Sequence, residues 1–392
     1  MYPNLYYAFK DLFGVDWKFL RFVNSFGFFV ALAFIIAAIV LSKELQRKSS
    51  QGVFQPTEMQ VTVGEPASIS EILLNFLLGF ILGYKIVAMF ILNNAATEDP
   101  QAFIFSTLGS WPAGIGLGLL FAGLKWYEKN KTRLPKPEKR NVRIWPQDRV
   151  GEITILALVF GLLGAKLFDI FENWGGFLKD PTSYLFSPSG LTMYGGLILA
   201  SLAIWYYASL HKIRFWHLND AASPALMLGY SIGRIGCQVA GDGDWGIASD
   251  LAKKPSFLPD WMWSYTFPHN VNNDGIPMAN CFEPKYCFEL PHGVYPTPIY
   301  EVIACLILFL ILWSVRKKLT IPGSLFALYL MFNGLERFFI EKIRVNNQMN
   351  FFGFHPTQAE VISTLLFLSG LILWITLRFR AKKAVNNPGS GT

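Results

Sequence analysis

The sequence predicts an all-α polytopic membrane protein of about nine transmembrane helices, and three observations carry that prediction. Hydrophobic residues fill 52% of the 392 positions, with 35 Phe and 12 Trp, and only 16% of residues are charged. A soluble domain usually carries about 25% charged residues. Several nearly uncharged apolar runs approach the ~20 residues that cross a bilayer as a helix. Finally, basic residues gather in particular loops between those runs, as orientation signals do.

In chain order the expected spans are 19–41, 70–92, 105–126, 151–172, 190–210, 218–236, 297–315, 322–341 and 357–379. The first reads as a retained helix, because no good small-residue cleavage site follows it. The sixth, "NDAASPALMLGYSIGRIG", is polar for a span and rich in small residues, which suits a helix buried among others. Lys125, Lys129, Lys131, Arg133, Lys136, Lys139, Arg140, Arg143 and Arg149 crowd one loop. Lys43, Arg47 and Lys48, then Lys212 and Arg214, then Arg316, Lys317 and Lys318, and Arg378, Arg380, Lys382 and Lys383 fall on the same side. That side is expected to be cytoplasmic, with the N-terminus outside and the C-terminus inside. Lys10, Lys18 and Arg21 are a minor exception. The net charge of +7 belongs to these clusters and argues against a nucleic-acid surface. The chain divides into N-terminal spans with a basic loop (1–150), a core (151–380) whose loop 237–296 faces outside, and a flexible tail (381–392).

Of four cysteines, Cys305 lies in an apolar run and Cys237 in a glycine-rich stretch. Cys281 and Cys287 share the long outer loop, and a disulfide between them is expected if that compartment is oxidising. No cysteine or histidine spacing suggests a metal, and no cofactor is expected. "EILLNFLLGFILGYKIVAMF" (71–90) and "EITILALVFGLLGAKLFDIF" (152–171) align as a candidate repeat, matching Glu71 with Glu152, Gly83 with Gly164, Lys85 with Lys166, and Phe90 with Phe171. Intramembrane lysines are costly and point to function unless they snorkel. Lys166 is assigned to substrate and Lys85 to snorkelling.

The chemistry-bearing residues cluster toward the outer face. "GYSIGRIGCQVAGDGDWG" (229–246) places Arg234 among glycines and two aspartates. A guanidinium there needs an anion, either a carboxylate such as Asp242 or a phosphate that its fork binds through two oxygens. Gly236, Gly241 and Gly246 would allow turns and close backbone approach. In "NGLERFFIEKIR" (333–344), Arg337, Glu341 and Arg344 share one helical face with Asn333, and Glu341 is expected to orient both arginines. Their alternative is a salt-bridge network between helices. "GLTMYGGLI" (190–198) puts Tyr194 and Gly195 at the outer start of a helix, where a tyrosine either anchors the interface or donates a hydrogen bond. "YPTPIYE" (295–301) opens a span with Tyr295 and sets Glu301 one turn inside.

Taken in order, these stretches resemble the phosphatidylglycerol–prolipoprotein diacylglyceryl transferase family over roughly residues 150–380. "GRIG…GDGDWG" is similar to its signature, "MYGGL" to its His-Gly-Gly-Leu motif, and "YPTPIYE" to its His-Pro-Ser-Gln-Leu-Tyr-Glu motif. "ERFFIEKIR" is similar to its Arg-Phe-x-x-Glu-x-x-Arg motif, and "TQAEVIS", with Gln358, to its Gly-Gln-x-x-Ser segment. Tyr194 and Tyr295 stand where the family has His, and Cys237 where it has Asn. Nine spans replace the usual seven, the extra length lying between the first and fourth runs. "HPTQ" (355–358) looks like a histidine motif on the wrong helix.

The resemblance implies transfer of the diacylglyceryl group of phosphatidylglycerol to the lipobox cysteine of a preprolipoprotein, in the bacterial inner membrane. Arg234 and Arg337 would hold the phosphate. Tyr194 would position or polarise, and Asp242, Asp244 or Glu341 would assist. Lys166, Gly195, Gly236, Gly241, Gly246, Tyr295, Glu301, Asn333, Arg344 and Gln358 would line the substrate site. Cys237 would pack beside it. The competing reading is a lipid or anion transporter or binding protein using the same arginines. The repeat keeps one orientation, which argues against the inverted repeats of transporters.

Overall fold

Apolar runs become helices here because a bilayer leaves backbone groups no partner except the helix's own. The structure, a computed structural model, describes residues 1–91, 103, 106–186, 192–279, 281, 284–346, 349 and 355–386. A short helix α1 (Leu5–Phe13) precedes α2 (Ser25–Ser50). Strand β1 (Thr57–Val63) leads into α3 (Ile69–Leu82), which continues through a π turn (Gly83–Val87) to Ile91. Next come α4 (Trp111–Lys131), β2 (Glu138–Ile144), α5 (Val150–Glu172), α6 (Met193–Leu210) and α7 (Phe215–Ala240). The C-terminal part holds β3 (Ile276–Pro277), β4 (Phe288–Glu289), α8 (Thr297–Val315), α9 (Ser324–Glu341) and α10 (Gln358–Asn386).

Each expected span has a helix, and among the described residues six are long and apolar enough to cross a membrane: Ser25–Ser50, Ile69–Phe90, Pro146–Glu172, Met193–Leu210, Thr297–Val315 and Gln358–Lys383. The chain is thus a multi-pass, mostly helical membrane protein. Several boundaries shift for local reasons. Asn24 caps α2, accepting from the Gly27 amide, so the helix starts after residues 18–22, which form a 3₁₀ turn. Helix α7 runs through Pro224 and on to Ala240, so Gly229, Gly233 and Gly236 are helical rather than turn residues. The long loop before α8 therefore begins at Gly241, whose φ of 65° ends the helix in a left-handed cap. Helix α10 extends to Asn386 into the expected tail, of which 387–392 lie outside the described residues. Two short antiparallel ladders, β1·β2 and β3·β4, also depart from an all-α chain.

Helix α7 is the centre of the bundle, packed along α2, α8 and α9, while α9 also packs along α10. Helices α5 and α6 pack as one pair and α3 and α4 as another. A buried ion network ties the end of the bundle that holds Asp220. Glu44 is 1% exposed and takes Arg47 and Arg316, and Arg316 stacks 3.4 Å over the Trp313 ring. Asp220 pairs with Lys48 at 3.6 Å and accepts from the Gly323 and Phe326 amides at 2.9 and 3.0 Å. It thereby caps α9 from another helix, satisfying donors that a helix start leaves free.

The candidate repeat has a structural counterpart. A side chain on Gly83 would strike Ala113 and Gly114 of the next helix, and one on Gly164 would strike Gly195 and Leu199 of its own next helix. The matched lysines differ: Lys85 donates to the carbonyls of Phe103, Ser106 and Leu108, whereas Lys166 pairs with Asp169 at 3.6 Å.

Candidate active site

The chemistry gathers at the far end of α7 from Asp220, fourteen residues and roughly 21 Å along the helix. Arg234 is 8% exposed. Its Nη1 meets Asp244, its Nε meets Glu301, and its Nη2 donates to the Tyr230 hydroxyl at 3.1 Å. Tyr230 in turn donates to Glu301 at 2.7 Å. Glu301 is fully buried one turn into α8 and is the hub of the cluster. Arg337 Nη1 and Arg344 Nη1 lie 3.8 and 3.7 Å from its second oxygen. Arg344 Nη2 takes the oxygen of Asp244 that Arg234 leaves, and Glu341 pairs with Arg337 at 2.9 Å. Burial and the Arg234 guanidinium pull the Arg344 pKa below its ordinary value.

The backbone explains why loop residues meet helix residues here. Gly246 forms a bridge with Arg344 and donates to the Tyr295 carbonyl at 2.8 Å, and the Ile247 amide donates to Ile343 at 2.9 Å. A side chain on Gly246 would strike the Ile343 carbonyl at 2.6 Å, so glycine permits this docking. Thr297 donates to the Asp244 carbonyl at 2.5 Å, fixing the aspartate against the start of α8. The loop between α7 and α8 is itself organised by buried Asn270, whose amide bonds Phe267, Asp274 and Phe288. Cys281 and Cys287 are joined in a disulfide with Cα atoms 5.7 Å apart.

Other expected site residues have different surroundings. Tyr194 is half-buried at the start of α6, close enough to Arg337, Glu341 and Arg344 to feel their charges. Thr192 holds that start to the end of α5 through Ala165 and Glu172. Asp242 stands beside Cys237 rather than on Arg234, and its Oδ1 has no hydrogen-bond partner among the described residues. Cys237, Asp242 and Asp244 approach within 4.8 Å of one another, but both oxygens of Asp244 already face guanidiniums. Cys237 itself is 5% exposed, with Sγ 3.7 Å from Arg234.

One expectation needs correction, and four expected lining residues have other neighbours. Glu341 orients Arg337 but not Arg344; its free oxygen accepts from Asn346 at 2.6 Å, because Arg344 turns toward the outer loop. Gly195 is occupied by helix contact, lying against Gly164 and Phe168, and Gly236 lies against Phe26 and Phe29 of α2. Asn333 is half-buried one turn before Arg337 without a hydrogen bond or ion pair to the cluster among the described residues. Gln358 is exposed at the first turn of α10, where Thr357 and Glu360 form a capping box, so its motif reads locally as a helix start.

Comparison with known proteins bears on this arrangement. A family model described as prolipoprotein diacylglyceryl transferase matches residues 113–376, two thirds of the chain. The chain belongs to this family. Similar curated relatives are named phosphatidylglycerol–prolipoprotein diacylglyceryl transferase. One from Clostridium novyi is 29% identical over 238 residues, covering 60% of this chain and 82% of that protein. One from Mannheimia succiniciproducens is 28% identical over 278 residues, covering 69% and 88%. One from Chlorobaculum tepidum is 30% identical over 248 residues, covering 60% and 76%. The prolipoprotein diacylglyceryl transferase match starts inside α4, so β1 and α3 fall before it. It contains every member of the arginine cluster.

Two cluster members escape motif reading in this prolipoprotein diacylglyceryl transferase. Tyr230 lies one turn before Arg234 on the same face, a spacing that is visible but chemically silent until Glu301 is placed. Glu336 sits beside Arg337 in a quoted motif; it is 7% exposed, and both its oxygens lack a hydrogen-bond partner among the described residues. An acid facing an apolar run was the available signal.

Proposed function

We propose that the chain transfers the diacylglyceryl group of phosphatidylglycerol to the thiol of a prolipoprotein cysteine, using Arg234, Arg337 and Arg344 as its phosphate-facing groups. The observation that carries this is their convergence on Glu301 and Asp244, with Arg337 Nη1 still without a hydrogen-bond partner among the described residues. Arg337 offers that donor to a phosphate oxygen. Arg234 and Arg344, held by carboxylates, supply fixed positive charge near it. In the reaction the thiol sulfur forms a C–S bond to the glyceryl carbon. The C–O bond to phosphate breaks, glycerol phosphate leaves with the electron pair, and the thiol proton departs. Preorganised guanidiniums stabilise the charge that grows on the leaving phosphate. They also favour the thiolate over the thiol. Tyr194, where the family has histidine, orients the reacting groups from α6, with Asp242, Asp244 and Glu341 assisting. Cys237 packs beside the site and is not the nucleophile.

In this reading all nine long helices span the membrane. The N-terminus and the disulfide-bearing loop lie outside, and the basic loops are cytoplasmic. Of the three helices less apolar than the rest, α7 and α9 cross in the shelter of their partners, and α4 crosses beside α3. The enzyme then sits in the bacterial inner membrane and meets lipobox cysteines from its outer side. The test incubates purified protein with phosphatidylglycerol and a lipobox peptide and weighs the peptide. A diacylglyceryl mass gain that disappears in Arg234→Ala is the expected result. A folded, lipid-binding protein that gives no mass gain would make it a lipid-binding relative without catalysis.

A further inference from the structure

Charge at the cluster does not balance. Arg234, Arg337 and Arg344 face Asp242, Asp244, Glu301, Glu341 and Glu336, two more acids than bases among the described residues. With every acid ionised, an anionic headgroup would enter a buried site that already repels it. Three of the acids are spoken for. Asp244, Glu301 and Glu341 each contact at least one guanidinium. Asp242 belongs to the outer loop, half-buried beside Cys237. Glu336 alone combines near-complete burial with two oxygens that no hydrogen-bond partner reaches among the described residues.

Its surroundings come from every helix packed on α9. Tyr230 and Arg234 face it from α7, and Glu301 and Cys305 from α8. Arg337 is its neighbour on α9. Helix α10 presents Ser363 and Phe367 to this stretch of α9, at Gly334, and its nearest acid, Glu360, is taken by Lys342. Among the described residues no hydrogen bond or salt bridge reaches Glu336, and the ion pairs of Arg234 and Arg337 go to Asp244, Glu301 and Glu341 instead.

We propose that Glu336 is a positioning residue whose neutral form admits the anionic phosphodiester headgroup and whose ionised form excludes it. The inference rests on the phosphatidylglycerol reading of the site. Linkage fixes the sign: as pH rises, Glu336 loses its proton to water and headgroup affinity falls, while a bound headgroup keeps the proton on.

The test measures binding of dioctanoyl phosphatidylglycerol and dioctanoyl phosphatidylcholine to the purified full chain by calorimetry. It spans about pH 6 to about pH 9, where buried carboxyls titrate. The chain should lose affinity for phosphatidylglycerol by about tenfold across that range, a typical coupling. Glu336→Gln should keep the low-pH affinity throughout, Glu336→Asp should restore a slope, and phosphatidylcholine should show none. A Glu336→Gln protein with the unaltered slope, or with weak binding at every pH, overturns the proposal. If Glu336→Gln fails to fold, an equal slope for both lipids in the unsubstituted chain overturns it, and a slope for phosphatidylglycerol alone that moves in Glu336→Asp supports it. Peptide transfer on the same samples separates the two readings. Sloped binding without thioether formation sinks the transferase alone, and thioether formation with a flat KM sinks the role of Glu336 alone.

Discussion

Glu301 has no exposed surface, yet it faces three guanidiniums and a tyrosine hydroxyl. Removing one partner from a buried ion cluster typically costs about 3–5 kcal/mol, because the charges left behind lose their solvent as well as their pair. Glu301→Ala should therefore lower the thermal unfolding temperature as well as abolish transfer. Arg337 differs, because its Nη1 stands 3.8 Å from Glu301 and makes no hydrogen bond among the described residues. Arg337→Lys should keep the fold and still lower transfer by about 10²–10³, the usual loss for a missing oxyanion donor. Lysine keeps the charge and loses the fork. Tyr194→Phe separates a hydroxyl role from a packing role: a loss of about 10² or more is expected of an orienting or proton-handling group, and unchanged kcat would remove Tyr194 from the chemistry. Arg234, Arg337 and Glu301 were legible in the sequence because charge in an apolar run is conspicuous, and Asp244 because it stands in a glycine-rich motif. Tyr230 and Glu336 were not, because their meaning depends on which helices face them. The partner of Arg344 was misread for the same reason, since a local i, i+3 acid lost to an aspartate one hundred residues earlier.

At the scale of elements, glycine sets the distance between helices. A Cβ on Gly164 would fall on the Gly195 carbonyl and within 2.7 Å of Leu199, while one on Gly161 or Gly233 would meet nothing within 4 Å. Gly164→Leu should push α6 from α5, destabilise the protein by roughly 1–3 kcal/mol as overpacking does, and displace Tyr194. Gly233→Ala should be neutral or stabilising, as alanine suits a helix better by about 1 kcal/mol. Thermal unfolding of both variants checks the pair. Helix existence was legible at each apolar run, because period and length are local properties. Ends were not: caps such as Asn24 and the continuation of α7 to Ala240 depend on neighbours that a linear reading does not show. Gly236 reads as a turn residue for that reason, although α7 uses it for close approach to Phe26 and Phe29 of α2.

At the scale of the molecule, the extra length between the first and fourth runs reads as an insertion, of which the family match covers the part from residue 113; its closure was not legible, because strand pairing joins residues far apart. Strands β1 and β2 pair from Thr57 with Ile144 to Val63 with Glu138, bracketing α3 and α4. Among the described residues the helical pair meets Phe19 and Phe22 through Phe90, and Phe22 also packs on buried Ala88, Met89 and Phe103. Excising 57–144 and joining Pro56 to Trp145 through a short glycine link should leave membrane insertion intact and transfer within about tenfold of the full chain, because few buried contacts cross the cut. A collapse of activity, measured by peptide mass gain, would show that the pair supports the site. The ladder also sets how such a segment can come and go over generations. Paired strand ends lie about 5 Å apart, so a single recombination event can splice the whole hairpin in or out of a gene without rerouting any other helix. The helices on either side keep their order and their connections whether the hairpin is present or absent.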